Sequence, residues 1–336
     1  MNKLFTLFLV LATSVGAVSA EPIQIGKIYY HFDDNAMTAS VAGADDIGDS
    51  KRLLVPATVG YNDRSYTVTS IENCAIQGKY FDYVTLPSTI VSIGDQAFAS
   101  STVHEIHLEE GLQTIGADAF MGCTVLEIIN IPSTVTSIGH DAFKDCTFLP
   151  VTDNIHYADN YLVAVEKEHR NETSYTIKPG TKWIGDGAFQ VCWYFDSIVI
   201  PEGVEVIGHD AFEGTSLKSV SISSTVTTIG NTAFMYCSHL TSVLCEAVTP
   251  PTCGIEVFKD VPDTIPLYVP ASSVEAYKTA DTWKDFKTIK AIQGGVHAID
   301  QVGQETKVKS QKLIRNGQLF IRKNDQLYTP TGQEIK

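Results

Sequence analysis

The dipeptide Ile-Gly recurs at Ile93-Gly94, Ile115-Gly116, Ile138-Gly139, Ile184-Gly185, Ile207-Gly208 and Ile229-Gly230, each time opening the pattern Ile-Gly-x-x-Ala-Phe. The intervals are 22, 23, 46, 23 and 22 residues, and Ile71 lies another 22 upstream. A fixed period of this length marks a repeat array. Because 46 is twice 23, the long interval reads as one degenerate unit of ordinary length rather than an insertion. Repeat chains grow by adding units, so the two domains that 336 residues would otherwise suggest do not apply.

A second column supports the register. Apolar residues in the pattern L-x-x-L-x-L begin at Phe81, Val103, Leu126, Phe195, Leu217 and Leu240. The step of 69 between Leu126 and Phe195 places the missing starts at Leu149 and Glu172, where only Tyr175 and Ile177 survive. Alternation in this half of the unit is the period of a strand with one buried face. No single unit can enclose a core, so stacking must do it, with Phe98, Phe120, Phe143, Phe189, Phe212 and Phe234 as one continuous buried ladder. Gly after Ile supplies either a positive φ or a close approach between coils. Eight registers in one phase predict a rod of about 40 Å presenting one broad parallel sheet.

The units Ile131 to Leu149 (IPSTVTSIGHDAFKDCTFL) and Ile200 to Leu217 (IPEGVEVIGHDAFEGTSL) resemble the BspA-like leucine-rich repeats of bacterial surface proteins. The resemblance runs from Tyr66 to Tyr277, and it extends to a lead-in at Val55 to Ile71 and a closing repeat at Pro266 to Phe286. It implies a leucine-rich repeat solenoid of 22–23-residue units, mostly β with turns and 3-10 segments, capped at both ends. It also implies monomeric, non-covalent adhesion to host, matrix or neighbouring-cell proteins. In the closing segment, Val274, Tyr277, Trp283 and Phe286 stand near helical spacing behind Ser272 and Ser273, which predicts a short capped helix over the last coil.

The expected organisation is a signal peptide at 1–20, cleaved near Ala20, a β lead-in at 21–65, and the solenoid at 66–292 with its closing cap at about 264–292. A polar linker at 293–311 and a hairpin-like tail at 312–336 follow. The signal peptide rests on Lys3, the apolar run Leu4 to Ala12, and small residues at Val18 and Ala20. The tail, a small sheet of two or three strands, resembles a shortened C-terminal sorting signal of the type IX export route in its segments NGQLFIRKND and TGQEIK. These features imply a secreted or surface-displayed protein with no transmembrane segment in the mature chain. The formal charge of -15, without any Lys/Arg cluster, argues against nucleic acid and anionic membrane as partners.

Chemistry is sparse. Cys123, Cys146, Cys192 and Cys237 each lie eight residues after a repeat Ile and read as buried apolar thiols, with disulfides at Cys123–Cys146 or Cys245–Cys253 left open. His140-Asp141 and His209-Asp210 read as turn residues, since three intervening registers would hold the histidines about 14 Å apart, too far to share a zinc ion. Glu109-Glu110 and Asp45-Asp46 read as solvated charges, and no phosphate loop, His-Glu-x-x-His or nucleophile elbow occurs. The chain is read as a non-enzyme without catalytic residues, cofactor or metal. Its candidate ligand-binding face is the outward side of the strand column, at Tyr83, Glu105, His107, Glu127, Ile128, Asn130, Asp196 and Lys218. The alternative is a structural surface-layer or spacer protein without a specific ligand.

Overall fold

The computed structural model describes residues 21–45, 51–190 and 192–292, together with four strands near the C-terminus. The expected signal peptide and most of the expected linker lie outside the described residues.

The chain forms a β-solenoid whose coils have two strand-bearing sides. On one side, the dipeptides Ser92–Ile93, Thr114–Ile115 and Ser137–Ile138 pair in parallel, Ile on Ile. They continue a sheet begun by Ile23–Ile25, Ile28–Asp33, Thr38–Ala44 and Arg64–Ile71. On the other side, Arg52–Leu54, Tyr83–Thr85, Glu105–His107 and Ile128–Ile129 form a four-stranded parallel sheet. Each of these strands buries its central or last apolar residue, Leu53, Val84, Ile106 and Ile129, and turns its neighbours outward, as period two requires.

The Gly that follows each repeat Ile is required by close approach. A Cβ on Gly116 would lie 2.6 Å from the Asp95 nitrogen, and one on Gly139 would lie 2.3 Å from the Ala117 nitrogen. Positive φ appears two residues later instead, at Gln96 (55°), Asp118 (54°), Asp141 (53°) and Asp210 (53°). The repeated Asp is a residue type that tolerates the left-handed region.

The interval from Ile138 to Ile184 departs from the expected degenerate coil. Val151–Thr152, Ile155–Ala158 and Tyr161–Val165 form an antiparallel meander. Its two connections are the dipeptides Asp153-Asn154, with φ of 50° and 66°, and Asp159-Asn160, with φ of 52° at Asp159. Asx-rich two-residue loops of this kind favour tight hairpins. Only the last strand returns to the solenoid, pairing in parallel with Trp183–Ile184, and Val206–Ile207, Thr228–Ile229 and Thr252–Cys253 extend that sheet.

Tyr161–Val165 is buried on both faces. Tyr161 and Val163 join the core of the first half, whereas Leu162 and Val165 join the core of the second. A strand walled on both sides reads as a continuous apolar run, here YLVAV. The phenylalanine ladder is therefore two ladders. Phe98, Phe120 and Phe143 stack at 5.2 and 5.3 Å and end on the tilted ring of Tyr161, 5.1 Å away. Phe189, Phe212, Phe234 and Phe258 stack at 4.9, 5.1 and 5.4 Å.

The expected single broad sheet is likewise divided. The second half carries its own five-stranded parallel sheet, Ser197–Ile200, Ser219–Ile222, Ser242–Cys245, Pro266–Val269 and Thr288–Ala291. The solenoid is closed by Tyr277 and Trp283, both fully buried, with the Trp283 Nε1 donating to the Pro251 carbonyl at 2.9 Å. The helix there is only Val274–Tyr277, and Ser273 does not cap it, because its hydroxyl donates to the Val248 carbonyl at 2.7 Å. At the C-terminus, Ser310–Arg315, Gln318–Lys323, Gln326–Tyr328 and Glu334–Ile335 form an antiparallel sheet of four strands, more than the two or three expected.

Candidate functional site

The eight residues of the expected binding face fall into two groups on the two outward sheets. Six belong to the first. Tyr83 and Ile128 flank Glu105 in one cross-strand row, and Arg52 continues the row on the far side of Tyr83. The Arg52 guanidinium lies 4.7 Å from the centre of the Tyr83 ring, a cation–π contact that holds the ring on the surface. The His107 Nε2 hydrogen-bonds to the carboxylate of Glu105, two residues away on the same strand. Glu127 lies with Lys51, Asp82, Tyr83, Glu105 and Ile128 around an open groove of about 490 Å³.

Asn130 is committed elsewhere. Its side chain accepts from the Leu108 N–H at 3.1 Å and donates to the Leu108 carbonyl at 2.6 Å, so it splices two coils.

Asp196 and Lys218 stand immediately before the first two strands of the second sheet, paired with each other at 2.9 Å. The meander separates them from the first group in the chain, and no strand pairing joins the two outward sheets. Among outward positions of the first sheet, Leu54, Tyr83 and Ile128 are 65%, 41% and 50% exposed. On the second sheet, Ser219, Ser221, Ser242 and Leu244 are all buried.

Lys51, Arg52 and Leu54 were missed in the sequence because they precede the Ile-Gly series. The signal was present: Leu53-Leu54-Val55-Pro56 repeats the form of Val84-Thr85-Leu86-Pro87 and Ile129-Asn130-Ile131-Pro132.

A second cluster occupies the junction between the halves. The rings of His140 and His209 are 5.6 Å apart, not the 14 Å expected from counting registers, because the meander lets the corner at 184–187 meet the corner at 138–141. Asp186 joins them. One carboxylate oxygen accepts from the Asp141 N–H at 2.8 Å and faces the His140 Nδ1 at 2.9 Å, while the other accepts from the His209 N–H. These residues edge a cleft of about 280 Å³ whose walls include Ile138, Tyr161 and Trp183.

His140, Asp141 and Asp186 offer ligand atoms within 4.8 Å of one another, the one such grouping of three His, Cys, Asp or Glu among the described residues. Every one of those atoms already has a partner. The Asp141 carboxylate holds the Lys144 ammonium at 2.6 Å, and the His140 Nε2 lies 3.3 Å from it. His209 accepts the Asn231 N–H on Nδ1 at 2.9 Å, which leaves the proton of a neutral ring on Nε2 and no lone pair to offer. The cluster is a clamp between coils.

All seven cysteines are free thiols, so neither Cys123–Cys146 nor Cys245–Cys253 is bonded. Three of the column thiols donate to the carbonyl of the ladder Phe one coil back: Cys123 to Phe98 at 3.0 Å, Cys146 to Phe120 at 3.1 Å and Cys237 to Phe212 at 3.1 Å. Burial pushes the Cys237 and Cys245 thiols up to about 11 and Cys253 up to about 12. A nucleophilic cysteine needs the opposite environment, one that favours the thiolate.

Among the described residues no helix is long and apolar enough to cross a membrane. No curated protein matches the sequence. Similar solved structures include a leucine-rich repeat protein from Bacteroides capillosus, 28% identical over 39% of this chain and 96% of that one, with a TM-score of 0.36. A second, from Bacteroides ovatus, is 22% identical over 82% of this chain and 92% of that one, with a TM-score of 0.37. The pneumococcal vaccine antigen PcpA is 17% identical over 84% of this chain and all of its own, with a TM-score of 0.35. The family model for the BspA type leucine-rich repeat region matches residues 63–160 and 167–271 in six copies. Those two spans make up more than half of the sequence, and the chain belongs to the BspA-type leucine-rich repeat family.

Proposed function

We propose that this protein is a secreted or surface-displayed adhesin that binds a protein ligand non-covalently through the outward face of its first parallel sheet. The observation that carries the reading is the open row Arg52, Tyr83, Glu105 and Ile128, in which two exposed apolar side chains flank an acid beside the Lys51–Asp82 pair. Aromatic and aliphatic anchors ringed by charge are the usual composition of a protein-binding patch. The neighbour named as a vaccine antigen is consistent with an external location. In this reading residues 1–20 direct export, the C-terminal tail serves sorting to the surface, and no catalytic step is involved.

The test is binding of chain 21–336 to a panel of matrix proteins, cell-surface proteins and intact cells. A saturable signal lost in a Tyr83→Ala/Ile128→Ala variant supports the face; a signal indifferent to both changes removes it. The second sheet favours the other reading, a spacer, for its own half, because its outward serines offer no anchor.

A further inference from the structure

The outward side of the second sheet is closed where that of the first is open. Following the register, one outward row reads Val199, Ser221, Leu244, Tyr268 and Lys290. Leu244 is 2% exposed, yet it belongs to neither hydrophobic core, whereas its strand neighbours Val243 and Cys245 point inward and join the second core. A leucine on the outer side of a two-sided sheet keeps water away only when something lies over it.

We propose that the occupant is the protein's own C-terminal segment, residues 310–336, which packs across the outward face of the second sheet with Leu244 near the centre of the contact. Three observations select it. The chain leaves the solenoid from Thr288–Ala291, the terminal strand of this same sheet, so the segment is tethered at its edge. Its four antiparallel strands carry Leu313, Ile314, Leu319, Phe320, Ile321 and Leu327 in a stretch too short to enclose a core, and such a sheet needs another layer to pack on.

Charge also complements. Residues 293–336 hold seven Lys and Arg against four Asp and Glu, whereas residues 21–292 hold sixteen against thirty-five. A basic segment therefore meets an acidic body, which favours the segment over the acidic body of a second copy as the cover. The tether raises the effective concentration of the segment at this face further. The inference does not depend on what the first sheet binds.

The experiment compares maleimide labelling of Ser221→Cys and Val199→Cys in chain 21–336, read by peptide mass mapping so that native thiols are scored separately. Val199, at the open end of the row, is 47% exposed. Docking predicts that Val199→Cys reacts at least about tenfold faster than Ser221→Cys, and that ending the chain at Ile292 raises the Ser221→Cys rate at least about tenfold. Unreactive Cys123 and Cys237 report that the shortened chain is still folded. If they react, the full chain carrying Lys312→Glu, Arg315→Glu, Arg322→Glu and Lys323→Glu takes its place, with the same rise expected. Equal rates at the two positions in the full chain overturn the proposal. So does protection of Ser221→Cys that survives loss or charge reversal of the segment, which would assign the cover to another copy or another part of the chain.

Discussion

In the first half of the solenoid the outward row reads Arg52, Tyr83, Glu105 and Ile128; in the second the equivalent row, again just before each central buried residue, reads Ser197, Ser219 and Ser242. The inner residues of the two halves are nearly interchangeable, an Ile at the corner, a stacked Phe and a column thiol. The outer residues share nothing. Stacking constrains only what faces the neighbouring coil, so the repeat sets the core while each half's outer surface is free to take its own composition and its own role. The meander at Val151–Val165 makes this division physical, since it ends one core and begins the next.

The comparison can be broken most severely at a corner glycine. Gly139→Ala should cost about 3–5 kcal/mol in urea unfolding, because the new Cβ meets backbone that cannot move without displacing a coil. Gly187→Ala, at a position of φ +59° where other coils carry Asp, should cost only about 1 kcal/mol. Equal costs would show that conformation, not approach, governs both sites.

Tyr161→Ala, which removes the buried ring at the partition, should cost about 3 kcal/mol and split thermal unfolding into two transitions. A single retained transition would mean that the halves couple by another route. Asp186→Asn should cost about 1–2 kcal/mol, since one of its two bridging oxygens becomes a donor facing a backbone N–H.

The thiols add a pH effect confined to alkali. Cys237 rises from 9.0 to about 11 on folding, so the unfolded chain releases this proton first. Its contribution is complete below pH 9 and is lost as pH climbs toward 11, and Cys237→Ala should flatten that decline in a stability–pH curve. The smallest effect on stability belongs to the first sheet's surface. Tyr83→Ala should change unfolding by less than about 0.5 kcal/mol while abolishing ligand capture.

The stacking columns were legible because each coil repeats the same demand on the same position. Ile93, Phe98 and Cys123 announce their neighbours by spacing alone. The partition was not legible from spacing, because an interval of twice 23 mimics one ordinary coil. Asp153-Asn154 and Asp159-Asn160 around the short segment IHYA carried the contrary local signal, two tight hairpins. The distance between His140 and His209 failed for the same reason, since counting registers assumes that every register is a coil. The candidate face was half legible: alternation named Tyr83, Glu105 and Ile128, but which outward faces stay open depends on what covers them, and no period encodes that.

One position of the coil, two residues after the repeat Ile, carries Asn73, Asp95, Asp186, His209 and Asn231, with Ala117 and His140 at the same place in the two coils before the meander. The first five each accept the backbone N–H at the corresponding position of the coil that follows, at 2.8 Å from Asp95 to Ala117 and 3.0 Å from Asn231 to Ile255. The bonds of this column run both ways: each of these side chains accepts from the coil that follows, while the backbone carbonyls of Asp95, His209 and Asn231 accept from Cys74, Gly187 and Asp210 of the coil before, at 2.9, 2.8 and 3.0 Å. A formed coil therefore offers acceptors to a neighbour arriving from either end, and the corner biases neither direction of growth. Unravelling of one coil accordingly strips partners from the coils on both sides of it.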